Sequence, residues 1–160
     1  MKVVRTGDVN TVSWNSPTGT KNGGYMNADD LRYKIVRMPD NVQVATNHAD
    51  SVFSDTSTTE ELALYYYVVT PYNDGIEGEP ASSNSVSVGD ALLPPYSQDF
   101  TEKNSLGLFT VVDVNNDNKT WTYSNGTVRY AYHMKNNADD WLITPPLKLK
   151  KGYMLSLIHI

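Results

Sequence analysis

The segment Tyr65 to Asn73, Tyr-Tyr-Tyr-Val-Val-Thr-Pro-Tyr-Asn, restricts the fold of this chain more than any other stretch. Aromatic and β-branched side chains dominate it, and these residue types favour extended strands. Residues 1–89 contain about seven short segments of this kind, and residues that form turns separate them. Short strands at regular spacing predict an antiparallel β-sandwich, so we expect an all-β fold.

Residues at particular positions in these strands narrow the prediction to a family. They are Trp14, Tyr33 and the alternating series Tyr65, Tyr67, Val69, Pro71 and Asn73. With this pattern, residues 1–89 resemble a fibronectin type III domain. The resemblance implies that Trp14 fills the core between two sheets and that Tyr65 closes a tyrosine corner. Pro71 departs from the family pattern, in which a small residue is usual.

A different set of motifs follows a proline-containing linker at residues 90–95. In order, they are Pro95-Tyr-Ser-Gln-Asp-Phe100, Val111-x-Asp113-x-Asn115-x-Asp117-x-x-Thr120-Trp121, and Asp139-Asp-Trp-Leu-Ile-Thr-Pro-Pro-Leu147 with Gly152-Tyr153 after it. This order is similar to that of the jelly-roll adhesin modules called cleaved-adhesin or choice-of-anchor J domains, which are related in architecture to MAM domains. The resemblance implies a secreted or surface protein of bacteria.

Residues 96–160 are therefore expected to form a partial jelly-roll β-sandwich. A jelly roll needs about eight strands, and the pattern here gives about five. We expect a domain that is C-terminally incomplete, with an apolar edge that promotes self-association. Within it, Asp139 to Leu147 is interpreted as a core strand with Trp141 buried and a proline exit. Pro94 and Pro95 predict a stiff, extended joint to the first domain.

Composition excludes several classes of function. The chain has no cysteine, which excludes disulfides, thiolate zinc sites and thiol catalysis. Residues 1–89 carry six Lys and Arg against eleven Asp and Glu, and the net charge is −5, so nucleic acid is not expected as a partner. No apolar run is long enough to predict a membrane span.

One loop has the residue types of a calcium site. Asp113, Asn115 and Asp117 place oxygen-bearing side chains at every second position, as hard cations require. Ser124 stands where an EF-hand has a bidentate Glu, so only a calcium ion that stabilises a β loop is predicted, with Asp99, Asp139 and Asp140 as further candidate ligands. The alternative is a polar turn ordered by Asx hydrogen bonds.

Several aromatic residues of the second segment offer flat rings on which sugars can stack. They are Trp121, Tyr123, Tyr130, Tyr132 and Trp141. Packing in a core is the alternative for about half of them. His48, His133 and His159 lack the neighbours of a catalytic or metal-binding histidine. Asp139 and Asp140 should point to opposite faces of a strand, so no catalytic pair of carboxylates is expected.

These features predict a non-catalytic adhesion or binding module, for a protein or carbohydrate ligand. It would be part of a larger exported bacterial protein and located outside the cell or on its surface. Two alternatives remain open. The chain is an ancillary region of a secreted peptidase or glycosidase whose catalytic domain lies elsewhere, or it is a spacer without a ligand. The loops Gly19 to Asp30 and Asp74 to Pro80 are interpreted as solvated connections.

Overall fold

The structure is a computed structural model that describes residues 1–57, 59–131, 134–135 and 137–154. The described residues form antiparallel β-sheets and one 3-10 turn, Ala28–Asp30, so the predicted all-β class is confirmed. The chain divides into two compact units. The first comprises Met1–Thr59 and Ala63–Val88, and the second comprises Glu60–Leu62 and Gly89–Ile160.

The first unit contains nine strands within the described residues. They are β1 (Lys2–Thr6), β2 (Val9–Ser13), β3 (Leu31–Met38), β4 (Val42–His48), β5 (Val52–Asp55), β6 (Ala63–Asn73), β7 (Ile76–Glu77), β8 (Ala81–Ser82) and β9 (Val86–Val88). One sheet has the order β1-β2-β5. The other has the order β4-β3-β6-β7, and β8 and β9 also pair with β6.

Strand β6 is the central element of the larger sheet and corresponds to the segment that dominates the sequence. Its residues 66–73 pair with the whole of β3, and it also pairs with β7, β8 and β9. Its side chains alternate, so Tyr65, Tyr67 and Val69 are buried on one face. Pro71 lies opposite Tyr33 in this pairing, so the ladder between β3 and β6 continues past it.

The hydrophobic core of the first unit lies between its two sheets. Val3 and Val12 come from the smaller sheet, and Tyr33, Ile35 and Val69 come from the larger one. Burying side chains of this size is the main stabilising contribution in a small domain, each worth about 1.5–3 kcal/mol. This packing of two antiparallel sheets is a β-sandwich, as the strand pattern predicts.

Trp14 and Tyr65 take positions somewhat different from those that the resemblance implies. Trp14 follows β2 and is only partly buried, with its ring edge-on to Tyr33 at a centroid distance of 4.9 Å. Tyr65 packs its ring beneath the Arg37 guanidinium, 4.5 Å from ring centroid to Cζ. Within the described part of the chain no hydrogen bond is found for its hydroxyl, and the tyrosine corner stays a prediction.

A buried polar network connects the two sheets through the core. Asp55 accepts hydrogen bonds from the Tyr67 hydroxyl at 2.8 Å and from Arg37 Nη1 at 3.2 Å. The Tyr67 hydroxyl in turn accepts from Asn10 Nδ2 at 2.9 Å, and Asp40 binds the outer side of the Arg37 guanidinium. Because buried polar groups are costly unless paired, this network specifies how the sheets face each other.

The second unit has less regular structure. Its strands are β10 (Thr110–Asp113), β11 (Trp121–Ser124), β12 (Thr127–Tyr130) and β13 (Asp140–Ile143). They form two antiparallel pairs, β10 with β13 and β11 with β12. Leu92, in the predicted linker, exchanges backbone hydrogen bonds with Pro146 and Lys148 and so belongs to this unit. Residues 151–154 form a turn and no strand, and residues 155–160 lie outside the described part.

Candidate functional site

An open pocket of about 380 Å³ lies on the second unit. Its lining residues are Trp121, Tyr130, Ala138, Asp139, Asp140 and Trp141. Three aromatic rings and two carboxylates thus surround one concave surface. This combination of flat apolar faces and a few polar groups is typical of small-ligand sites.

The pairing of strands positions the aromatic rings. Trp121 and Tyr130 lie directly opposite each other across β11 and β12, and their ring centroids are 5.4 Å apart at an interplanar angle of 52°. Both side chains are partly buried. Strand β13 contributes the third ring, Trp141, from the other antiparallel pair of strands.

The prediction that Trp141 is a core residue is wrong, because 61 % of its surface is exposed. Strand β13 alternates, with Asp140 and Leu142 on the more buried face and Trp141 and Ile143 on the more exposed face. Among the described strands, β13 pairs with β10 alone. An indole that is both exposed and part of a concave surface is free to contact a ligand.

From the sequence, the two acids at the start of β13 are expected to point to opposite faces, and their exposure differs: Asp139 is exposed, whereas both carboxylate oxygens of Asp140 are buried. Asp139 precedes the strand, so the alternation of strand side chains does not apply to it. Both acids line the same pocket. The indole nitrogen of Trp121 is also buried and makes no hydrogen bond to any described residue.

Tyr130 is influenced by the charges of three acidic residues, Asp113, Asp117 and Asp140. Partial burial and the nearby carboxylate of Asp140 raise the pKa of Tyr130, and the charges of Asp117 and Asp113 contribute in the same direction. A phenolate would be repelled by all three carboxylates, so the hydroxyl stays protonated as a donor. The pocket therefore combines a negative electrostatic potential with a hydroxyl donor.

The predicted calcium loop lies next to this pocket. Asp113 is the last residue of β10 and faces Asp140 of β13 directly. Its carboxylate accepts hydrogen bonds from the backbone amides of Asp117 and Asn118, at 3.2 and 2.9 Å. Asn115 Oδ1 also accepts from the Asp117 amide, and its Nδ2 donates to the Asn137 carbonyl. These are the Asx hydrogen bonds of the alternative interpretation.

The arrangement does not by itself identify a metal site. Among the described residues, no group of three or more His, Asp or Glu side chains is arranged to hold a metal ion. Asp113 and Asp140 are brought together, whereas Asp99 is engaged elsewhere. Hydrogen bonds from the backbone and side chain of Thr101 lower the pKa of Asp99. The calcium ion stays a prediction.

The remaining candidates lie away from the pocket or outside the described residues. The Tyr123 hydroxyl donates to the Thr101 carbonyl and accepts from the Gly126 amide, so it has a structural role. His48 hydrogen-bonds the Val52 carbonyl and packs edge-on to Phe53. Tyr132, His133 and His159 fall outside the described part of the chain. Within that part, no helix is long and apolar enough to cross a membrane.

No protein-family model, curated protein or solved structure matches this chain. The two family resemblances found in the sequence therefore remain predictions.

Proposed function

We propose that this chain is a non-catalytic adhesion or binding module whose ligand is a carbohydrate. It would act within a larger exported bacterial protein, outside the cell or on its surface. The observation that carries the proposal is the pocket formed by Trp121, Tyr130 and Trp141 with Asp139 and Asp140. The two family resemblances support the same setting, because both kinds of module occur in secreted multidomain proteins.

The chemistry of the pocket matches the surface of a sugar. The C–H-rich face of a pyranose packs on flat aromatic rings, and its hydroxyls donate to carboxylates. Trp141 offers an exposed ring, while Trp121 and Tyr130 form a tilted pair beside it. The exposed carboxylate of Asp139 supplies acceptors, and the Tyr130 hydroxyl supplies a donor. Tyr and Trp side chains bind with little loss of conformational entropy, which favours their use at recognition sites.

The direct test is a glycan array probed with the whole chain, followed by calorimetry on the sugars that bind. The Trp141→Ala variant should weaken binding by about tenfold or more, equivalent to at least about 1.4 kcal/mol. Because Trp141 is 61 % exposed, its removal should leave the fold intact. Leu149→Ala is the matched control, since Leu149 is 57 % exposed on the same unit and lies outside the pocket.

Two outcomes would overturn the proposal. In the first, the folded chain binds no glycan but binds a matrix protein, which would identify a protein ligand instead. In the second, Trp141→Ala and Leu149→Ala bind a sugar as tightly as the unsubstituted chain, which would place the site elsewhere.

We also propose that calcium stabilises the loop beside the pocket. The observation that favours it is the pairing of Asp113 with Asp140 across β10 and β13. Like charges directly opposite each other destabilise a sheet, and both carboxylate oxygens of Asp140 are buried. A divalent cation held by Asp113, Asn115, Asp117 and Asp140 would offset that repulsion. Carboxylate oxygens that accept a hydrogen bond keep a second lone pair for a metal.

Thermal unfolding of the second unit tests the calcium proposal. Calcium at about 100 times its Kd should stabilise the folded unit by about 2.7 kcal/mol relative to excess chelator. Asp140→Asn should abolish the shift, whereas Asp99→Asn, which removes a carboxylate outside the loop, should preserve it. A melting temperature that is the same with calcium and with chelator would contradict the proposal.

A further inference from the structure

The first unit has a larger groove, of about 840 Å³, at the end where two of its loops approach each other. One wall is the loop Gly19 to Asp30, and the other is the hairpin connection Asp74 to Glu79. From the sequence, both loops are expected to be solvated connections. The structure instead places them side by side around one concave surface, on a different unit from the aromatic pocket.

The groove has a defined shape because its two walls are connected. Asn73 Nδ2 donates a hydrogen bond of 2.7 Å to the Asn27 carbonyl, which joins the end of β6 to the opposite loop. Asn73 faces Ile76 across a tight turn whose central residues, Asp74 and Gly75, have φ values of 49° and 76°. Two central residues with positive φ are typical of a type I′ hairpin, which holds its flanking strands firmly.

Large apolar side chains are exposed along the groove. Tyr25 is 89 % exposed and Ile76 is 76 % exposed, and both belong to its lining. Met26 and Pro71 line it as well. An isolated exposed apolar residue needs no explanation, but several around one concavity are typical of a binding surface.

The groove is also acidic. Its lining includes the four carboxylates of Asp30, Asp74, Glu77 and Glu79, against one cation, Lys21. Lys21 pairs with Glu79, and Lys34, from outside the lining, pairs with Glu77. Asp30 accepts a hydrogen bond from the neutral Asn27 side chain. Within the described residues, Asp30 and Asp74 therefore have no cationic partner.

We infer that this groove binds a cationic peptide segment that carries apolar side chains. Lysine or arginine of such a peptide would pair with Asp30 and Asp74, and their aliphatic stems would cover Ile76 and Tyr25. An acidic peptide is repelled by the same carboxylates, and repulsion of this kind gives specificity. The inference is independent of the sugar pocket, since it concerns different residues on the other unit.

The test is fluorescence polarisation with three labelled peptides of equal length and the whole chain. The first alternates Lys with Leu and Phe, the second replaces each Lys by Glu, and the third replaces each apolar residue by Ser. We expect the first peptide to bind at least about tenfold more tightly than either of the others. Its affinity should also fall as ionic strength rises, because the charges are exposed.

Variants locate the binding site. Asp74→Asn keeps a residue that tolerates positive φ while removing the charge, and Ile76→Ser removes the exposed apolar contact. Each should weaken the first peptide by about fivefold or more. Val52→Ser is the control, because Val52 is 49 % exposed on the same unit and lies outside the groove. Equal affinity for all three peptides, or unchanged binding by Asp74→Asn and Ile76→Ser, would overturn the inference.

Discussion

The two units of this chain use similar residues in opposite ways. The first unit buries its aliphatic and aromatic residues between two sheets, with Val12, Ile35 and Tyr67 fully inaccessible. In the second unit, Phe109 and Pro145 are the buried apolar side chains within the described residues. Most of its other large apolar residues are only partly buried, and several are exposed, among them Leu93, Met134, Trp141, Ile143, Leu149 and Met154.

This difference indicates a division of roles. The stability of the first unit comes from its interior, including a polar network that a shift of one sheet against the other would break. The second unit keeps aromatic and aliphatic surface available for contact, either with a ligand or with another chain. Self-association through such a surface stays a prediction. The comparison can be tested by making similar substitutions at buried residues and at exposed ones. The substitutions at buried residues should lower the free energy of unfolding more.

The largest effect should come from Asp55→Ala in the first unit. The substitution leaves the buried Arg37 and Tyr67 without a shared partner, and breaking a buried charge pair costs about 3–5 kcal/mol. Urea unfolding followed by the fluorescence of Trp14, with Trp121 and Trp141 replaced by Phe, reports this unit alone. Asp8→Ala is the control, because the Asp8 side chain is 87 % exposed in its pair with Arg5. The control should lower the free energy of unfolding by less than about 1 kcal/mol. Equal losses for Asp55→Ala and Asp8→Ala would mean that the buried network does not stabilise this unit.

A pair of isoleucines compares the two units directly. Ile35 is fully buried in the first unit, and Ile143 is 46 % exposed in the second. Ile35→Ala should destabilise its unit by about 2–5 kcal/mol, since it leaves a cavity. Ile143→Ala should cost less than about 1 kcal/mol. The measurement is the urea midpoint of each unit, reported by Trp14 or by Trp121 as the single tryptophan. Similar costs at both positions would mean that the second unit has a core like the first.

A pair of tyrosines tests hydrogen bonds in the same way. Tyr67→Phe leaves Asp55 and Asn10 each short of a buried partner, so a loss of about 1–3 kcal/mol is expected. Tyr123→Phe removes a hydrogen bond to the Thr101 carbonyl that lies at the surface, which should cost about 0.5 kcal/mol. If Tyr67→Phe costs no more than Tyr123→Phe, the buried network does not contribute to stability.

The smallest expected effect is the loss of stability of the first unit at low pH. Burial acts to raise the pKa of Asp55, but hydrogen bonds from Ser57, Tyr67 and Arg37 outweigh it, so the pKa is lowered in the folded state. The carboxylate therefore stabilises the fold above its unfolded pKa of about 3.9, and this contribution is lost as pH falls through the folded value. The stability difference between the unsubstituted chain and Asp55→Asn should be constant near pH 7 and narrow below about pH 4. A difference that stays constant down to the lowest accessible pH would contradict this.

The sequence predicts the parts of the structure that depend on local patterns. The segment Tyr65 to Asn73 lies in β6, and the alternation of Leu31 to Arg37 appears as β3. Both patterns have a period of two residues, which only a strand satisfies. The positions of individual strands and the all-β class follow from such patterns.

The candidate site depends on pairing between distant segments, which the sequence does not contain. The exposure of Trp141 is decided by which strands cover β13, and the approach of Asp113 to Asp140 is decided by the register of β10 and β13. The groove of the first unit likewise depends on one contact, between Asn73 and Asn27. One sequence feature does point to the groove: the Asp74-Gly75 pair predicts a tight hairpin that forms one of its walls.

The most direct test of the central claim uses the three tryptophans of the chain. In a heteronuclear NMR titration with a sugar identified on the array, each indole N–H gives one resonance. The pocket on the second unit predicts that the signals of Trp121 and Trp141 shift together with a common Kd, while that of Trp14 stays unchanged. Shifts at Trp14 alone, or no shift at Trp121 and Trp141 while the sugar binds, would contradict the assignment of this pocket as the ligand site.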